Sequence, residues 1–217
     1  MSRESEKQLA ATKAAILVHE GMRVGLGTGS TVAYFIGALA QRRVKVVLVA
    51  TSPASEQAAK ALGLEVEPFD ESGRLDLAID GADQITSDGW LVKGAGGALT
   101  REKIVAASAD RFVVIADSTK LVESLHAPVP LELLAFGLSS ILVRLAPCAL
   151  RGVPASPDAG VIADYLGEVH DPSALASRLA STPGVVEHGL FGPDLVSEVY
   201  VGVGESVRRI VVRGEHE

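Results

Sequence analysis

Short apolar runs of strand length alternate with stretches of helical period along the first half of the chain, an order that few architectures accept. Residues 7–19 read as a helix closed near Gly21, 23–26 as a strand, 31–41 as a helix and 44–50 as a buried strand. Ser52-Pro53 opens a further helix that stops at Gly63, with serine as N-cap and proline at the first helical position. Strands are expected at 66–69, 74–80 and 112–116, with a helix near 98–107. Parallel neighbours need long crossovers, and helices supply them, so this order predicts a mostly parallel sheet covered on both faces. With 47% hydrophobic residues in 217, the chain has enough apolar surface for such a core.

After Pro128 and Pro130 the order changes to strand, helix over 131–145, strands at 148–151 and 161–165, helix, and strand at 185–188. Asp171-Pro172 starts the second of these helices and Thr182-Pro183-Gly184 ends it. This is the order of a split βαβ, ferredoxin-like unit. Strands at 199–203 and 207–212 are expected to rejoin the large sheet. The predicted fold is therefore α/β: a Rossmann-like, mostly parallel sheet with helices on both faces, from residues 1–126 and 196–217. A smaller ferredoxin-like α+β lid domain occupies 127–195.

Several classes of function are disfavoured. A net charge of −7 repels polyanions, and the Arg42-Arg43-x-Lys45 cluster reads as a solvated helix end, so neither nucleic acid nor an anionic membrane is an expected partner. The longest apolar runs, such as 14–18 and 112–116, are too short to span a bilayer, and the opening MSRESEKQ is too polar for a secretory leader. Cys148 is the single cysteine, which excludes an intrachain disulfide and suits a reducing, cytoplasmic setting. The histidines at 19, 126, 170, 188 and 216 show no metal-binding spacing, and no metal is expected.

The stretch VGLGTGSTVAYF, residues 24–35, runs from strand through a glycine-rich turn into helix. A dinucleotide fingerprint needs a third glycine where Ser30 stands and an acid at the end of the second strand, and VKVVLVATS has none. What remains is a run of backbone N–H groups with the hydroxyls of Thr28, Ser30 and Thr31 at a helix N-terminus, which suits a phosphate monoester. The plainer alternative is a tight turn with Ser30 or Thr31 as an ordinary cap.

LAIDGADQI, residues 77–85, puts Asp80 and Asp83 at the carboxyl end of a strand, the edge where open α/β sheets bind ligands. An Asp-Gly turn would account for Asp80 alone. In LVKGAGGALTREKIV, residues 91–105, Lys93 precedes a glycine-rich turn and then a helix bearing Glu102. The helical neighbours of Glu102 are Ala98, Leu99, Val105 and Ala106, all apolar. A carboxylate on an apolar stripe suits a general base; otherwise the helix begins later and Glu102 is a first-turn acid answering the dipole. Lys120, in DSTKLV, follows a strand at the same edge, where a lone lysine is commonly only solvated.

Taken together, GTGST at 27–31, DGAD at 80–83, KGAGGALTREK at 93–103, STK at 118–120 and PGVVEHGLF at 183–191 resemble the ribose-5-phosphate isomerase type A family across nearly the whole chain. The resemblance implies a Rossmann-like domain with a ferredoxin-like lid. It also implies cofactor-free, metal-free interconversion of D-ribose 5-phosphate and D-ribulose 5-phosphate through an enediolate, in the non-oxidative pentose phosphate pathway. Carried to matching positions, Glu102 is the base, with Lys93, Asp80 and Asp83 in catalytic support. Lys7, Thr28, Gly29, Ser30, Thr31, Asp80, Gly81, Ala82, Asp83, Lys93, Gly94, Ala95, Gly96 and Lys120 are the implied substrate contacts. A homodimer, or a dimer of dimers, is the implied assembly. The departures from the family pattern are Gln84 for a glutamate, Ala95 for a glycine, and a short segment near 151–160. Competing readings are a non-catalytic sugar-phosphate sensor, an amino-sugar-phosphate deaminase or a coenzyme A transferase of related fold, and more distantly an oxidoreductase.

Overall fold

The structure, a computed structural model, describes residues 2–69 and 73–213; His216 lies outside them. The first half of the chain runs α1 (Arg3–Ala15), β1 (Arg23–Leu26), α2 (Ser30–Arg42), β2 (Val47–Ala50), α3 (Pro53–Ala61), β3 (Glu65–Val66) and β4 (Leu75–Asp80). Then come β5 (Gln84–Ile85), β6 (Leu91–Val92), α4 (Leu99–Ala107), β7 (Ala109–Asp117) and a 3₁₀ turn at Ser118–Lys120. The remainder is β8 (Val129–Leu133), α5 (Leu138–Leu145), β9 (Cys148–Leu150), β10 (Val161–Tyr165), α6 (Pro172–Ala180), β11 (Val185–His188), β12 (Leu190–Phe191), β13 (Glu198–Val203) and β14 (Ser206–Val211).

The chain divides into two compact units, the first from residues 1–82, 101–120 and 193–217, the second from 83–100 and 121–192. The first is built on a sheet ordered β14-β13-β7-β4-β1-β2-β3. Every pairing in it is parallel except that of the edge strand β14. The order reverses beside β1: β2 and β3 extend one way, β4, β7 and β13 the other. Ligands bind such sheets at the carboxyl ends of the strands flanking this switch point. Here those ends carry the glycine loop after β1 and the Asp80 turn after β4.

Side-chain alternation sorts the covering helices. Val24 and Leu26 of β1 join Ala10, Ala11 and Ala14 of α1 and Phe35, Ile36 and Leu39 of α2 in one buried layer. Gly25, between them, faces the other way, where a Cβ would collide with Val105 of α4. That absent side chain lets α4 pack close to the sheet.

The second unit contains a four-stranded antiparallel sheet ordered β11-β8-β10-β9, with α5 and α6 supplying Ile141, Leu145, Leu175 and Leu179 to its core. The first strand lies between the third and fourth, the arrangement of a split βαβ. A three-stranded sheet, β12-β6-β5, completes this unit. Its pairing of Leu190–Phe191 with Leu91–Val92 groups residues 83–100 with the second unit, whereas the pattern of the sequence assigns them to the large domain.

Several elements differ from the expected ones. The helix placed at 131–145 starts only at Leu138, and Leu131–Leu133 belong to β8, which runs through Pro130 and pairs with β10 over its whole length. α1 begins at Arg3 rather than 7, because Ser2 accepts a hydrogen bond from Ser5 N–H (3.2 Å) and Glu4 and Glu6 answer the dipole. It also ends sooner than expected; the N–H groups of residues 16–18 tighten onto carbonyls three residues back. No described helix is long and apolar enough to cross a membrane.

Candidate active site

In the first unit the glycine loop is held against the next strand. Thr28 N–H donates to Asp80 Oδ1 (3.1 Å), as does Gly81 N–H (2.7 Å), and a Cβ on Gly27 would overlap the Asp80 carboxyl. Ser55 Oγ donates to Gly27 O (2.6 Å), and the hydroxyls of Thr28 and Thr51 are 2.9 Å apart. The turn therefore needs glycine at 27 for close approach. It needs glycine at 29 for a different reason, a backbone φ of +119°.

Gly29 is the N-cap of α2 and offers no side-chain oxygen, so neither Ser30 nor Thr31 serves as the ordinary cap considered from sequence. The first-turn N–H groups of α2 open onto the loop without a capping side chain, and the helix dipole adds positive potential there. Lys7 Nζ reaches the same place, donating to Ser30 Oγ (3.1 Å) and to Glu4 Oε1 (2.8 Å). Gly29 and Ser30 are exposed, and Thr28 and Thr31 half-buried, so an incoming anion can reach them.

Glu6 fixes the surroundings. Its carboxylate accepts hydrogen bonds from Gly204 N–H (2.9 Å), Ser118 Oγ (2.7 Å) and Ser118 N–H (3.0 Å). These bonds, that from Gly204 foremost, hold its pKa down at about 2. One side chain thus ties α1, which carries Lys7, to the 3₁₀ turn that carries the half-buried Lys120.

Glu102 lies in the first turn of α4, yet it is only 3% exposed. Its neighbours Ala98, Leu99, Val105 and Ala106 are buried, as the apolar stripe predicted. Glu102 is thus both a first-turn acid and buried. Val105 abuts Gly25, and Glu102 is three residues, roughly 4.5 Å, nearer the start of the helix. Because α4 leads back to the amino end of β7, its start lies toward the carboxyl edge of the sheet. Glu102 therefore comes level with about Leu26, the last residue of β1, and Gly27 after it, at the mouth of the glycine loop.

In the second unit the glycine-rich turn after β6 is equally tight. Lys93 N–H donates to Gly189 O (2.8 Å), and Gly189 N–H donates to Pro130 O (2.7 Å). A Cβ at Gly94 would sit 2.8 Å from Leu99 Cβ and 3.1 Å from Pro130 Cβ. The Lys93 ammonium, 3% exposed as a residue, stands 5.5 Å from the centre of the Phe191 ring, a cation–π arrangement. Asp83 Oδ2 accepts from Ala95 N–H (3.1 Å).

Two departures from the family pattern have plain structural accounts. The Gln84 amide pairs twice with the backbone of His126, donating to its carbonyl (2.8 Å) and accepting from its N–H (2.8 Å), which a carboxylate could not do. Ala95 is exposed and its backbone is not left-handed, so its methyl group meets no strain.

The comparisons with known proteins give the family and the fold. The family model described as ribose 5-phosphate isomerase A (phosphoriboisomerase A) matches residues 47–206. Ribose-5-phosphate isomerase A of Gluconobacter oxydans is 43% identical, covering 93% of this chain and 94% of its own. The chain belongs to the ribose 5-phosphate isomerase A family.

The solved family member from Neisseria gonorrhoeae superposes with a TM-score of 0.93 at 31% identity, covering 98% of this chain and 99% of that one. Another D-ribose-5-phosphate isomerase, in complex with phospho-erythronic acid, gives 0.91 at 34% identity, covering 97% and 100%. Family motifs led to the loops; the residues that support them were not visible in sequence. Arg151 on the turn at 94–95 and Glu6 behind Lys7 and Ser118 belong to no motif, and Phe191, which closes the motif at 183–191, gives no sign in the sequence that it lies beneath Lys93.

Proposed function

We propose that this chain interconverts D-ribose 5-phosphate and D-ribulose 5-phosphate by moving a proton between C1 and C2 of the open-chain sugar through an enediolate. The burial of Glu102 at the mouth of the glycine loop carries the reading: a carboxylate kept from bulk water beside a phosphate-binding turn is the arrangement a general base for a sugar phosphate requires. In this reading Thr28, Gly29, Ser30, Thr31 and Lys7 bind the phosphate, whose binding energy positions the reacting carbons. Glu102 removes the proton from C2 of the aldose and returns it to C1, while the hydroxyl proton on O2 passes to O1 as the C2 carbonyl forms. Lys93 offsets the negative charge that develops on the carbonyl oxygen. Asp80 and Asp83, with the backbone of 81–82 and 94–96 and Lys120, hold the sugar hydroxyls and assist ring opening. The bound phospho-erythronic acid of the solved relative supports the assignment, since its carboxylate resembles the charge of an enediolate on a phosphorylated chain.

The same reading makes the protein a cytoplasmic homodimer. Its single cysteine suits a reducing compartment, and the exposed Phe136 and Val143 of the second unit offer apolar surface to a partner copy. The test is ketopentose formation from ribose 5-phosphate by the purified protein with a chelator present, alongside Glu102→Gln. Turnover by the unaltered protein and its loss in the variant are expected. No turnover by either, or equal turnover by both, overturns the proposal.

A further inference from the structure

We propose that Arg151 is a positioning residue for the reaction, orienting the peptide planes of the turn at 94–97 so that an open backbone donor faces the substrate. This rests on the isomerase reading above. Arg151 follows β9 and donates its N–H to Ile162 O (3.0 Å), which sets it diagonal to Asp164 on one face of the β9–β10 pair. There the Asp164 carboxylate clamps the guanidinium, accepting from Nε (3.0 Å) and from Nη2. Gly97 packs over the same face, where a Cβ would lie 3.6 Å from Ile162.

With two nitrogens held by Asp164, the third is aimed at the turn. Nη1 donates to Gly94 O (3.2 Å) and to Ala95 O (3.0 Å). In a trans peptide the carbonyl and the following N–H point in opposite directions. The N–H groups of Ala95 and Gly96 therefore face away from Arg151. That of Ala95 meets Asp83 Oδ2 (3.1 Å), an acid assigned to the substrate. That of Gly96 makes no hydrogen bond to any described residue, and Gly96 is exposed. An oriented, open N–H three residues beyond Lys93 is a donor suited to a developing oxyanion. A lysine at 151 could not do the same work, because one ammonium cannot hold a carboxylate by two edges and bridge two carbonyls.

The experiment compares the unaltered protein with Arg151→Lys and Arg151→Ala, reading isomerase kinetics and amide hydrogen exchange by NMR. Expected are a kcat at least about tenfold lower with KM within about threefold, and partial recovery of kcat in Arg151→Ala on adding millimolar guanidinium. Exchange at Ala95 and Gly97, whose N–H groups bond to Asp83 and to Gly94 O, should quicken at least about tenfold. A kcat within about twofold of normal, or unchanged exchange at those two amides, overturns the proposal. If Arg151→Ala fails to fold, Arg151→Lys carries both readouts. If the unaltered protein shows no turnover, the isomerase reading fails, and the exchange data still decide whether Arg151 orients the turn.

Discussion

Replacing Gly27 by alanine tests how the glycine loop and Asp80 are fitted together. The backbone at 27 is not left-handed, so alanine brings no torsional strain, and the whole effect must come from what its Cβ meets. It meets the Asp80 carboxyl, Cγ and both oxygens. Asp80 must then withdraw, which breaks its bonds from Thr28 N–H (3.1 Å) and Gly81 N–H (2.7 Å). Thr28 and Gly81 are half-buried, so water recovers part of each loss, leaving about 1 kcal/mol per bond. Overpacking adds about 1–3 kcal/mol. The sum is about 3–5 kcal/mol, a large share of the ~5–15 kcal/mol that holds a protein folded. Equilibrium urea unfolding measures it, in a cycle with Asp80→Gly. Without the carboxyl, alanine at 27 should cost less than about 0.5 kcal/mol, giving a coupling of at least about 2 kcal/mol. A single-variant cost below about 1 kcal/mol, or the same cost in both backgrounds, refutes the fit.

Two further outcomes follow from α1. Glu6 has its pKa lowered from 4.5 to about 2, so its stabilising bonds are fully present above pH 4.5 and lost as pH falls from there toward 2. Glu6→Gln should therefore melt below the unaltered protein at pH 7, with the gap closing below pH 4.5; a gap independent of pH contradicts this. Lys7→Ala should raise KM for the sugar phosphate by roughly 10- to 100-fold, the worth of one charge-assisted hydrogen bond, with kcat little changed. A fall in kcat at constant KM would remove Lys7 from phosphate binding.

The large features were legible because they rest on local pattern. Strand–helix alternation predicted the parallel sheet, and the Ser52-Pro53 and Asp171-Pro172 caps located two helix starts to the residue. The three-stranded sheet was not legible. β5, β6 and β12 are two residues each, too short for any periodicity, and the pairing of β12 with β6 joins residues about a hundred apart. The strand β8 was half hidden because Leu131–Leu133 fit a helix as well as a strand, and Pro130 argued for a break. In the site, Glu102 stood out as a charge on an apolar stripe. Arg151 did not, since an arginine after a short strand carries no signal until the fold brings its partners to it, and the motif holding Phe191 gave no hint of its contact with Lys93.

Glu102 is central to this account, and proton exchange tests it most directly. With ribose 5-phosphate in deuterated water, the unaltered protein should place deuterium on the reacting carbons as it isomerises. Glu102→Gln should bind the sugar phosphate with affinity within about tenfold of normal while losing both isomerisation and exchange. Deuterium incorporation at an undiminished rate in that variant would contradict the account.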